Sequence, residues 1–217
     1  MYRRRFVAGA TAGSLGVLAG CLGGLREYEA TPVSVSGEAL ADAGYVHDAT
    51  RALIVTESII GQEIRAVNYV SEYHRHLELD LLNAQEAGVF AAISSPRVSI
   101  LGRDINPIAD YDDAEITELI QERYDELSIG SSVGSRAMEV LGSSTEVTTF
   151  EGEGRIAGVG LLDLYVDVGQ FDSADDHVVV VGLYPRQIPG EDDRVTALIE
   201  GLRHDGDDVE GDEEIEE

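Results

Sequence analysis

Lysine is missing from the 217-residue chain: its 15 cations are all arginine, against 42 Asp and Glu, for a formal charge of −27 and a pI near 4.3. With that excess of acid and no basic patch beyond the first few residues, phosphate-driven binding of nucleic acid is excluded. A single cysteine, Cys21, excludes a disulfide framework. No tryptophan, nine tyrosines and four phenylalanines leave little material for an aromatic stacking site. Gly-rich phosphate loops are missing too, since Gly152-Glu-Gly154-Arg-Ile-Ala-Gly158 departs from the G-x-G-x-x-G spacing. No motif calls for a cofactor. What is present, 43% hydrophobic and 26% charged residues, is the composition of a folded protein.

The first residues carry an address. Arg3-Arg4-Arg5-Phe6-Val7 precedes an uncharged run that lasts until Arg26. Cations stay on the cytoplasmic side while an apolar stretch enters the membrane, and Arg3, Arg4 and Phe6 resemble the twin-arginine export signal. Leu18-Ala19-Gly20-Cys21 then resembles a lipobox, in which the thiol of Cys21 takes a lipid and the chain is cut just before it. Small residues at 19 and 20 suit a narrow peptidase groove. The alternative is an uncleaved anchor, because 20 uncharged residues can span a bilayer; six glycines among them make a poor membrane helix. Either way the expected place is the outer face of the cell membrane, reached through the twin-arginine export machinery. Residues 1–20 are thus read as a signal peptide.

Cleavage before Cys21 removes three arginines and takes the formal charge to −30. In dilute buffer such a surface repels itself, whereas at molar salt the Debye length falls to about 3 Å and carboxylates chiefly hold water and cations. The acidity, spread along the chain, therefore reads as adaptation to high salt. It is densest over 204–217, where nine carboxylates in fourteen residues predict a disordered acidic tail. A calcium loop starting at Asp205 fails, with Val209 and Glu210 where an oxygen ligand and a glycine are needed.

Residues 21–36 read as a short tether, leaving 37–203 as a single domain. Ser36 caps a short helix ended by Gly44. Thr50–Ile60 and Glu63–Leu79 form a hairpin about Gly61-Gln62, its second strand placing Val67, Tyr69, Tyr73, Leu77 and Leu79 on a core face and Glu72, His74, His76, Glu78 and Asp80 on a wet one. Gly88–Ser95 and Arg97–Leu101 flank Pro96, which predicts a bent or edge segment. Asp112 with Glu115 predicts a capping box, followed by a helical stripe of Ile116, Leu119, Ile120 and Tyr124. Strands follow at 133–141, 145–154, 157–168 and 177–184, the last apolar on both faces and so central. A final helix spans 191–203, with Val195, Leu198, Ile199 and Leu202 on one stripe. Runs of strands with two main helices predict an α+β fold, about six or seven mainly antiparallel strands with the helices on one face or end. The element order is similar to the PsbP-type α/β/α sandwich.

Nearly the whole chain resembles a family of haloarchaeal exported lipoproteins of unknown function. The likeness rests on the lipobox, Leu-Ala-Asp-Ala-Gly-Tyr (40–45), the stretch Ser94 to Arg103 with Asn106-Pro107, Glu122-Arg123-Tyr124, and Val181-Gly182-Leu183-Tyr184-Pro185. It implies location and a single domain, and carries no activity, ligand or site residue.

Two constellations touch on chemistry. Gly130-Ser131-Ser132-Val133-Gly134 fits the nucleophile elbow in letters, but a helix precedes it and a strand follows, the reverse of an elbow, so Ser132 reads as a loop residue. His74 and His76, two apart on a strand, share a side and with Glu72 or Glu78 compose a candidate metal-ligand set for a metal-dependent hydrolase; on a half-exposed strand the same residues are also ordinary surface. His177 with Asp175 and Asp176, and Asp163, Tyr165 and Asp167, read as turn and surface. The leading reading is a non-catalytic, lipid-anchored module that binds a surface protein or a small ligand.

Overall fold

A computed structural model describes residues 26–59, 62–79, 82–100, 103–104, 107–124, 126–156 and 160–204. The signal region 1–20, the lipobox with Cys21, and the tail from 205 lie outside the described residues. In chain order the elements are β1 (Arg26–Glu29), β2 (Ser34–Val35), α1 (Gly37–Ala43), β3 (Val46–Ile59), β4 (Gln62–Leu79), β5 (Leu82–Pro96), β6 (Ser99–Ile100) and β7 (Arg103–Asp104). A 3-10 turn (Pro107–Asp110) leads to α2 (Asp113–Arg123), β8 (Leu127–Val140), β9 (Ser143–Ile156), β10 (Gly160–Ser173), β11 (Asp176–Pro185), α3 (Glu191–Glu200) and β12 (Leu202–Arg203). The fold is α+β, and among the described residues its main sheet has eight strands. They run β4-β5-β11-β10-β9-β8, with β3 on the outer side of β4 and β1 continuing the inner side. Every pairing in it is antiparallel except β1 with β4.

The core lies on both faces of this sheet, and alternation along β11 shows why. Val178, Val180 and Tyr184 join Val195, Leu198 and Ile199 of α3 in one cluster. Val179, Val181 and Leu183 point the other way and meet Ile116 and Ile120 of α2. A strand buried on both faces needs the continuous apolar run seen here, and it runs centrally as the sequence predicts. Each fully buried Val or Leu adds roughly 1.5–3 kcal/mol relative to exposure. Helices therefore cover both faces instead of the one expected. Local chemistry fixes their starts: Ser36 accepts from Ala39 N–H at α1, and Asp112 and Glu115 form the reciprocal capping box at α2.

Several boundaries differ from expectation. Residues 26–36 are folded structure rather than tether, since β1 pairs with β4, and Val33 and Val35 enter the core. Each end of that stretch is held by partners far along the chain, which short-range patterns do not show. β5 begins at Leu82 and ends at Pro96, opposite Asp176. Ser132 is not in a loop: it lies in β8 between two bulges against β9. α3 ends at Glu200, where Gly201 lets it pass close to Ala39 of α1, and Arg203 belongs to β12. The side chain of His204, assigned to the tail, is shielded: its ring bonds Ser173 Oγ (2.9 Å) and Asp176 Oδ2 (3.0 Å). Among the described residues no helix is long and apolar enough to cross a membrane.

Candidate functional site

α2 and the 3-10 turn pack chiefly on the β8–β11 half of their face, reaching Ile93 of β5. The registers of β3, β4 and β5 carry the same face onward in rows. Val46, His74, Val89 and Leu183 stand opposite one another across four strands; two residues along, so do Ala49, Glu72, Ala91 and Val181. On β3–β5, Ile93 packs against the α2 cluster and Ile64 is buried with Val98 and Tyr28, while the end around Val46, His74 and Val89 is more open. Val46 (51% exposed), Leu53 (47%) and Val89 (37%) therefore meet solvent although they continue an apolar core layer.

His74 and His76 sit on this open face. Both point to one side because the strand repeats every two residues, and their rings meet edge-on with centroids 4.8 Å apart. His74 is half-buried, and its Nδ1 lies 3.9 Å from Asp48 Oδ1. Glu72 is committed elsewhere: its carboxylate pairs with Arg51, which also lies 3.6 Å from Asp48. The Glu78 side chain lies outside the described residues. Among the described residues no group of three or more His, Cys, Asp or Glu is arranged to hold a metal ion. The structure thus brings the two histidines together, without a third ligand among the described residues.

The opposite face hides charge that sequence reasoning placed at the surface. Asp167 is 1% exposed. It accepts from Thr149 Oγ1 (2.6 Å), Arg136 Nη2 (2.7 Å) and the Tyr184 hydroxyl (3.2 Å), so a carboxylate costly to bury has three donors. Burial, then the negative charge of Asp167, pushes the Tyr184 phenol well above its ordinary range. Glu191, at the first turn of α3, is buried between Arg75 and Arg194. Tyr45 lies beside it over Gly88, where a Cβ would collide with the phenol. Its pKa is likewise raised, chiefly by burial and then by Glu191.

The profile of a domain of unknown function, DUF6517, matches residues 32–203. The chain belongs to that family. The DUF6517 span includes the open face, the Asp167 cluster and the Glu191 cluster, and leaves out β1 and Cys21. Among curated proteins none matches the chain.

Two further expectations need correction within the DUF6517 domain. Asp176 is buried, accepting from Thr31 N–H (2.7 Å) and held by His204. His177 bonds Asp172 (3.0 Å) and Gln170 (3.2 Å) instead of standing free in a turn. No local signal marks Asp167 or Asp176 as buried, because Arg136 lies 31 residues from one and His204 28 from the other. Arg136 on β8 and Asp167 on β10 meet across the intervening strand β9, which supplies Thr149.

Proposed function

We propose that this DUF6517 protein is an exported, lipid-anchored module that acts by binding, without a reaction of its own, on the outer face of the membrane at high salt. The observation that carries the binding role is the end of β3–β5 around His74, where an apolar layer continues past α2 with Val46 and Val89 exposed. Exposed apolar patches that extend a core mark docking surfaces. The buried carboxylates Asp167, Asp176 and Glu191 are engaged by arginine or histidine, which suits a structural role better than a poised catalytic one. Cys21 stands five residues before β1, so a lipid there would hold the domain close to the bilayer. The likeness to haloarchaeal lipoproteins supports the setting, and helices on both faces of a sheet suit the PsbP-type order, which itself brings no function.

Two measurements test this. Cys21→Ser should abolish the lipid mass on the N-terminal peptide and move the protein from membranes to medium; a variant that still begins at residue 21 and still sediments with membranes refutes the anchor. In-cell cross-linking at high salt should capture a partner that the Val46→Asp/Val89→Asp variant loses; an unchanged cross-linking pattern refutes the docking face.

A further inference from the structure

On the reading that the open face of β3–β5 is a docking surface, we propose that its occupant is a second copy of this chain, joined to the first by one zinc ion held by His74 and His76 of each copy. Four observations carry this. The rings already stand 4.8 Å apart on one face, His76 exposed and His74 half-buried, and two imidazoles that close are half of a tetrahedral site. Among the described residues no group of three ligands forms here: Glu72 is held by Arg51, which also lies 3.6 Å from Asp48. Among the described residues the site is therefore half of a tetrahedral set in one copy. A two-fold axis through the metal supplies the missing pair, because an isologous contact presents the same residues from both sides.

The surroundings suit the same arrangement. Asp48 lies on the Nδ1 side of His74, the place where a carboxylate orients a ligating imidazole and leaves Nε2 for the metal. Val46 and Val89 flank His74 directly across the strands, so closing two copies over the ion buries the exposed apolar rows. Imidazole is a good ligand for zinc, whose site needs no redox chemistry or open position when it is structural.

The test uses the full chain, extracted in mild detergent at molar KCl and stripped with EDTA. Zinc chloride is added in steps while mass is followed by light scattering and bound metal by elemental analysis. The mass should double with saturation at one zinc per two chains, and EDTA should reverse it. His74→Ala or His76→Ala should raise the zinc midpoint for dimer formation at least 100-fold, while His47→Ala leaves it unchanged. Val46→Asp/Val89→Asp should stay monomeric with both histidines intact. The proposal is overturned if the mass never exceeds a monomer, if zinc saturates at one per chain without a change in mass, or if His74→Ala dimerises at the original midpoint. A monomer that still loses its cross-linked partner in Val46→Asp/Val89→Asp overturns the zinc bridge and leaves the docking face standing. If that variant alters neither mass nor cross-linking, both are overturned.

Discussion

Asp167 is the residue on which the buried polar structure most depends. With Thr149, Arg136 and Tyr184 all donating to it, its loss takes from the Arg136 guanidinium its hydrogen-bonded carboxylate. Removing one partner of a buried pair is far costlier than never having built it, so Asp167→Ala should cost about 3 kcal/mol, measured by urea unfolding in molar KCl. The tyrosines give a signature in alkali. Tyr45 and Tyr184 are neutral in the fold with raised pKa values, so their contribution is fully present below about pH 10 and fades as pH rises towards the folded-state values. Melting temperature should drop above pH 10, and less steeply in Tyr184→Phe. Asp172 acts at the other end of the scale. The hydrogen bond from His177 lowers its pKa, so its contribution is present above about pH 4 and lost as pH falls through the lowered value. Legibility at this scale is uneven. His74 and His76 share a side because two is the period of a strand, and that needs no partner to read. Asp167 is held by Arg136 and Glu191 by Arg75, each from another element, and sequence reasoning expects Asp167 at the surface.

The elements are more legible than their ends. The capping box at Asp112 and Glu115, the Ser36 cap and the two-sided apolar run of β11 are local or periodic signals, and each stands where the sequence put it. β3 starts at Val46 rather than Thr50, and β5 at Leu82 rather than Gly88, because pairing with β4 extends both beyond their apolar cores. Turns offer a clean test. Ala174, between β10 and β11, has φ of +50°, a left-handed conformation that costs an L-residue roughly 1–2 kcal/mol. Against the extra freedom glycine gives the unfolded chain, Ala174→Gly should leave a net gain of about 0.5 kcal/mol and a slightly higher melting temperature. Gly182 tests the reverse. A Cβ there would lie 2.6 Å from Val195 Cγ1, where α3 rests on β11, so Gly182→Ala should destabilise by about 1–3 kcal/mol in the same unfolding assay.

At the scale of the molecule, the charge of −27 acts through solvent. Screening of mutual repulsion predicts a melting temperature that climbs steeply from 0.1 to 2 M KCl, and sodium chloride should do much the same, because screening depends on ionic strength. A flat profile would count against high salt as the working medium. The molecule also has a mechanical direction. β1 runs parallel to β4 from its first residue, Arg26, and Ala30 N–H continues the ladder to Val67 O. A pull on Arg26 along the strand, from the N-terminal side, loads all rungs of that ladder together in shear instead of peeling them one after another. Under the proposed anchor at Cys21 this short strand would act as a strain relief, spreading drag on the domain over β4 before it reached the core under α3.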